Sequence, residues 1–571
     1  MDSTDASKAK PVNRMKSALL LALTLAASPP PRTDRAAERL ITADSIRAHV
    51  RFLASDLLEG RGPATRGDAL TQTYIAAQLE ALGMRPAGTD GFLQPFDVVS
   101  VEGHAETVRF SRGDRALVLQ HQADVIAVPG DDAPRTSLDG AELVFVGFGI
   151  QAPEFAWDDY KGQDLRGKVL LMLNNDPEGD PTLFGGRARL FYGRWDYKYA
   201  MAARVGAAGA ILLHTQHSAG YPWQVVQTSW TGPQSSLPTS EQRVAVRGWV
   251  TEAACRRLMA MAGQDLDALQ RAANQRDFHP VPLGLRVSTD FTSRVAKGRT
   301  ANVLGLLPGS DPRLASELVV YSAHHDHLGV RPGAKPGEDA IYNGAEDNAS
   351  GVALLLSIAR AYGALPKAPR RSILFAAVAA EEQGLLGSEY LTLHPPVPVG
   401  RMAVDINIDG ANVFGRTRDV TVIGLGKTDL DPTLAALARA QGRVLQPDQL
   451  PDRGYFYRSD QLSFARVGVP AAYFESGLDY RGRPPGWGRQ MRESWEETRY
   501  HQPSDELSPD WNLSGAVEDG RLQFALGYSV AQADRMPAWR KGDEFEAVRL
   551  QALEAARRAS SQAGPAPASG R

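Results

Sequence analysis

The chain has 571 residues with 63 basic and 66 acidic side chains, a formal net charge of −3, so it offers no basic field for nucleic acid. At 43% hydrophobic and 23% charged, with a mean hydropathy of −0.28, the composition is that of a globular protein; it excludes wholesale disorder and a polytopic membrane protein. The single Cys255 permits neither an internal disulfide nor a cysteine-based zinc knuckle, so any metal site must use His, Asp and Glu.

From the N-terminus, the run Ala18 to Ala27 (ALLLALTLAA) follows Arg14 and Lys16 and precedes Ser28 and Pro29-Pro30-Pro31. That pattern predicts a secretory signal peptide over 1–28, with Met15 as an alternative true start. The run is too short to span a bilayer, and the prolines argue against a buried helix of the mature fold. The expected location is periplasmic or secreted, with no stable membrane span in the mature chain. Two amphipathic helices follow at 43–55 and 68–83, the second closed by Gly83 as a C-cap.

The stretch 136–263 differs in character: AELVFVGFGI, GKVLLMLNN, YKYAMAARVGAAGAILLHT and VAVRGWV alternate strands with one small-residue helix and carry no cluster of ligands. It reads as a separate small module. Beyond it, apolar runs at 317–323, 372–380, 403–408 and 469–476 alternate with helical patterns at 349–365 and 431–442. The whole predicts an α/β fold with a mixed, mostly parallel central sheet flanked by helices. Its two parts, 38–135 and 264–535, flank the inserted smaller domain. Residues 536–571 read as a helix decaying into a disordered tail. No repeat at a solenoid period is evident.

Five polar motifs sit at the ends of these elements. His324-His325-Asp326-His327 directly follows an apolar strand and holds three of the eleven histidines; open α/β sheets bind ligands just there, and Asp326 is placed to orient His324. Asn343-Gly344-Ala345-Glu346-Asp347 runs into a helix, and alone would be an acidic N-cap. Glu381-Glu382 ends a strand, where adjacent carboxylates repel unless a positive charge lies beside them. Asp409 before Gly410 alone would be a turn, and Tyr500-His501 alone a loop. Taken together, His324, Asp347, Glu382, Asp409 and His501 supply two imidazoles and three carboxylates. With neutral imidazoles the three carboxylates carry −3, and a bridging hydroxide makes −4, matching two Zn²⁺ ions. Glu381 stays free to act as a base.

At these residues the chain resembles the co-catalytic zinc aminopeptidases, a family that includes secreted bacterial leucyl aminopeptidases and, more distantly, glutamate carboxypeptidase and the transferrin receptor. The resemblance runs from about 38 to 535 and extends to Phe52-Leu53-Ala54-Ser55-Asp56, Glu59-Gly60-Arg61, Gln94-Pro95-Phe96, Ala301-Asn302-Val303-Leu304-Gly305 and Ser459-Asp460 with Val469-Pro470-Ala471. It implies His324, Asp347 and Asp409 on one zinc, with Glu382, His501 and the same Asp347 on the other, two zincs per chain. It further implies Glu381 as general base and later acid, Asp326 orienting His324, and Tyr500 donating to an oxyanion. The module at 136–263 resembles a protease-associated domain walling or capping the cleft. Glu346, Gln461 and Gly410 depart from the usual Asp, His and Met, and Gln461 and Gly410 are expected to reshape the substrate pocket.

The expected function is removal of N-terminal amino acids from peptides, with a peptide as the partner. A carboxypeptidase acting on small or acidic peptides is the alternative, with Arg458, Arg481 and Arg483 as candidate carboxylate anchors. A non-catalytic binding protein on the same scaffold could dispense with ligands and base, whereas this chain keeps all six. Zinc-dependent acyl transfer would use one metal. Oligomeric state, His325, His327 and His394 receive no assignment.

Overall fold

The computed structural model describes residues 33–562 apart from 179, 181, 182 and 240. The apolar run at 18–27 and the end of the tail from 563 lie outside the described residues. No helix among the described residues is long and apolar enough to cross a membrane.

The apolar runs become the centre of a ten-stranded mixed sheet. Ser372–Val378, Leu318–His324, Met402–Asn407 and Ala471–Ser476 lie side by side and parallel in that order. Every residue of the first three is buried, because helices cover both faces and each strand must be apolar throughout. Alternate residues serve the two sides. Val319, Tyr321 and Ala323 face the core under helices Gly351–Gly363 and Ser514–Gln532, while Leu318 and Val320 face Leu391 and Phe464 on the other side. Leu93–Glu102 and Arg294–Leu307 extend the sheet antiparallel on one flank, and Asp419–Ile423 and Val444–Pro447 complete the other.

The helices at Ala43–Leu53 and Arg66–Ala81 form as the sequence predicts. Gly83 takes a left-handed φ of 80° just past the second, the conformation that lets it end a helix without a Cβ penalty.

Residues 107–292 build a second, eight-stranded sheet. Its parallel centre is Arg135–Phe145, Val169–Leu173, Gly209–His214 and Val246–Thr251, which carries the apolar runs of the expected module at 136–263. Antiparallel strands from outside that span widen it: Thr107–Arg112, Arg115–Gln120, Val125–Pro129 and Val281–Thr292. The short strand Gln234–Ser236 leaves this layer and pairs with Val99–Val101 at the edge of the central sheet, so the layers share backbone hydrogen bonds.

One glycine fixes the turn after Ser372–Val378. An added Cβ on Gly387 would stand 2.3 Å from the carbonyl oxygen of Ala379 and 2.4 Å from Asn302 Oδ1, which itself accepts from the Ala379 amide at 3.0 Å. Replacing Gly387 with Ala should therefore lower the unfolding free energy by about 1–3 kcal/mol through overpacking, read from urea denaturation; unaltered stability would mean that this contact does not hold the 379–387 turn.

Candidate functional site

The four parallel strands end on one edge, and the chain reverses its direction of travel across the sheet there: from Leu318–His324 to Ser372–Val378 on one side, then to Met402–Asn407 on the other. Such a switch point leaves a crevice at the strands' carboxyl ends. His324 is the last residue of its strand, Glu381 and Glu382 follow Val378 after two alanines, and Asp409 lies two residues past Asn407. Asp347 comes from the turn ahead of helix Gly351–Gly363, and His501 from the loop after helix Trp487–Thr498.

The five side chains converge. His324 Nε2 lies 3.3 Å from Asp347 Oδ1 and 3.1 Å from Asp409 Oδ1. His501 Nε2 lies 3.2 Å from Asp347 Oδ2 and 3.1 Å from Glu382 Oε2. Asp347 thus turns one oxygen to each imidazole, as a carboxylate shared between two cations would. Although His501 Nε2 is buried against two oxygens, it makes no hydrogen bond among the described residues. A metal ion lying between the nitrogen and these oxygens would take up that unpartnered atom. Two imidazoles and three carboxylates form a donor set suited to zinc.

The electrostatics agree with surplus negative charge. Burial alone would depress His324, yet Asp409, Glu381, Asp326 and Asp347 hold it well above its ordinary value. His501 is likewise raised to about 10 by Glu382 and Asp347 against burial. Glu382 is held down to about 2 by His501 and His327 although burial opposes it. Burial pushes Glu381 well above the usual carboxylate range, with Asp409, Glu382 and Asp460 adding to it. A divalent cation between these groups would relieve the repulsion.

A buried frame aims the donors. Asp326 accepts the amides of Glu381 at 3.0 Å and Glu382 at 3.3 Å; its Oδ1 lies 3.7 Å from His324 Nδ1, beyond hydrogen-bond length, so the closer work of Asp326 is on the Glu381-Glu382 backbone. Asn348 accepts from the amides of Gly351 and Gly410 and donates to the carbonyl of Ile408, joining the Asp347 turn to the Asp409 turn. Three further residues have contacts to which the sequence reading assigned no role. Asp505 accepts the amides of Glu346 and Asp347 at 3.0 and 3.1 Å. His327 Nδ1 lies 2.6 Å from Glu382 Oε1, leaving Oε2 for His501; His327, Asp347 and Glu382 also form a possible metal-holding group, but His501 lines the cleft and His327 does not. The guanidinium of Arg61, fully buried, donates to the carbonyls of Leu53, His325, Asn343 and Gly344.

The cleft beside these groups is walled by Phe414, Tyr473, Leu478, Tyr480 and Trp495, by the ion pair Glu475–Arg492, and by Glu496, which Arg453 pairs from outside the lining. The Tyr500 ring stacks on His501, centroids 4.0 Å apart. Arg458 lies between the rings of Tyr221 and Tyr455, at 5.2 and 5.4 Å, with Nη2 3.4 Å from the Tyr500 hydroxyl; no carboxylate pairs with it among the described residues. Arg481 binds the carbonyl of Thr417 and Arg483 stacks on Trp487, both outside the lining. Gly410 does line the cleft, and a Cβ there would stand 2.8 Å from Glu346 Oε1. Gln461 instead lies below, bonded to Asn407 and to the carbonyl of Phe456, so it shapes the floor and not the pocket.

Residues 302–525 match the peptidase family M28. Aminopeptidase NAALADL1 of Mus musculus is 34% identical over 137 residues, 22% of this chain and 16% of that protein; this chain therefore matches only a small part of that relative. Aminopeptidase YwaD of Bacillus subtilis (strain 168) is 24% identical over 492 residues, 86% of each chain. The solved aminopeptidase from Aneurinibacillus sp. strain AM-1 has a TM-score of 0.51 at 19% identity, covering 88% of this chain and 97% of that one, a likeness of fold.

Removing the Arg61 cation would strand four carbonyls beside buried carboxylates. Arg61→Met should cost roughly 3–5 kcal/mol of unfolding free energy, measured by urea denaturation; a variant as stable as the parent would show that the frame does not depend on it.

Proposed function

We propose that the protein, whose residues 302–525 match peptidase family M28, is an exported exopeptidase that holds two zinc ions and releases N-terminal amino acids from peptides. The observation that carries this reading is Asp347 facing His324 with one oxygen and His501 with the other, at 3.3 and 3.2 Å. His324, Asp347 and Asp409 would hold one ion, and Asp347, Glu382 and His501 the other. Bound there, the ions would polarise a scissile carbonyl and lower the pKa of water toward about 7.

Glu381 lines the same cleft without belonging to the ligand set. Its carboxylate, raised by burial and by Asp409, Glu382 and Asp460, is suited to take a proton from attacking water and return it to the leaving amine. Asp326 holds the Glu381 amide and so fixes where that carboxylate points. The Tyr500 hydroxyl, beside His501, would donate to the oxyanion that develops in the transition state. The second layer, read as a protease-associated domain, walls the cleft through Gly220 and Tyr221. Export rests on the pattern at 18–27 and predicts mature protein that begins after residue 28.

Arg458 favours a second reading. A guanidinium in the cleft with no carboxylate partner suits a free substrate carboxylate, as in a carboxypeptidase acting on small or acidic peptides.

A panel of aminoacyl substrates, N-blocked dipeptides and C-terminally amidated peptides, assayed with zinc analysis, separates the two. The aminopeptidase reading expects cleavage only where the α-amine is free, whether or not the C-terminus is amidated; cleavage confined to substrates with a free carboxylate would replace it with the second. Glu381→Ala should lose about 10²–10⁴-fold in rate while keeping two zincs, and near-parental turnover would remove Glu381 from the role of base.

A further inference from the structure

The two imidazoles are braced differently on their far sides. His324 Nδ1 makes no hydrogen bond among the described residues, and Asp326 Oδ1 stands 3.7 Å from it. His501 Nδ1 instead meets Ser229 Oγ at 2.7 Å, and Ser229 belongs to the second layer, 272 residues earlier in the chain. We infer that Ser229 is a positioning residue for the metal centre, accepting the Nδ1–H of His501 and so aiming Nε2 at Asp347 and Glu382. This rests on the two-zinc reading above.

The direction of the bond follows from the other nitrogen. His501 Nε2 faces two carboxylates, so in a metal-ligating neutral imidazole the proton sits on Nδ1 and the serine oxygen accepts. Ser229 is held firmly enough for the task. It ends helix Trp223–Ser229, and its carbonyl accepts from Gln234 Nε2 at 3.2 Å. The next residue, Trp230, is buried among Trp195, Tyr199 and Trp249 with ring centroids 5.4, 5.7 and 6.0 Å away, and the Arg247 guanidinium covers its ring at 5.3 Å.

The contact does not stand alone. The amide of Ser235 donates to Gln383 Oε1 at 2.7 Å, one residue past the ligand Glu382. The segment 229–235 thus touches the sequence neighbourhood of one ligand and the ring of another, both on the same metal position. The affinity of the position served by His501 and Glu382 therefore depends on the second layer being docked.

The test is zinc affinity, read by competition with a chromogenic chelator on the full-length protein. The parent should bind two zincs. Ser229→Ala should weaken one of them by about 10–100-fold and leave the other unchanged, while Ser229→Thr, which keeps the hydroxyl, should stay close to the parent. Thr228→Ala, whose hydroxyl bonds only within its own helix, should bind both as the parent does. If Ser229→Ala does not fold, Ser229→Cys reads the same contact with a poor acceptor of similar size. A parent with two zincs and a Ser229→Ala protein of identical affinities would overturn this inference and leave the proposed function standing. Equal loss in Thr228→Ala would overturn it too, by showing a packing effect. A parent that binds no zinc would overturn both.

Discussion

The structure is governed by the problem of keeping many carboxylates together in a place that water hardly reaches. Asp326, Asp347, Glu381, Glu382, Asp409 and Asp505 meet at one end of the central sheet, Asp326, Asp347 and Asp505 buried and the other three half-buried. Each would pay a large desolvation cost unless compensated by cations or hydrogen bonds. The fold supplies what compensation it can from the backbone: paired amides on Asp326 and Asp505, and the Arg61 guanidinium braced on four carbonyls. What remains uncompensated is the set facing the crevice, and that remainder is what a divalent ion would offset.

This division explains what the sequence could and could not reveal. The strands were legible because burial on both faces demands unbroken apolar runs, so 317–323 and 372–380 announced Leu318–His324 and Ser372–Val378 within a residue or two. His324, Glu382 and Asp409 were legible because each stands at or just past such a run, whereas Asp347, in a turn, and His501, in a loop, were legible only in their company. The frame was not. Arg61 acts on carbonyls up to 283 residues away, and backbone acceptors leave no mark in sequence. His327 sits beside a ligand in the chain, but its partner Glu382 is 55 residues on. The strands Leu93–Glu102 and Arg294–Leu307 were also missed, since each is partly exposed and finds its partner only across the whole second layer, with Arg294 opposite Glu102.

The second layer is tied to the first at its margin and at its centre. Gln234–Ser236 hydrogen-bonds along the edge of the central sheet, while Tyr221 and Ser229 reach Arg458 and His501. A module that only shielded the cleft would need neither polar contact. Interfaces between domains within a chain are free to move unless they are large and apolar. Here polar groups cross the boundary, so displacement of the layer would leave the His501 Nδ1–H without its acceptor and loosen the donor set.

The same excess of carboxylates bears on Glu381. Two divalent cations close by would pull its pKa down and leave a carboxylate too weakly basic to accept a proton from water. Burial works in the opposite direction, and so do Asp409, Glu382 and Asp460, while His324 pulls with the metals. Asp460 is itself fully buried beneath the site, and burial raises it to about 7 against the pull of His324. The acidic floor offsets the field of the ions that the acidic rim would collect, and a general base functions at neutral pH only where those two opposing shifts nearly cancel.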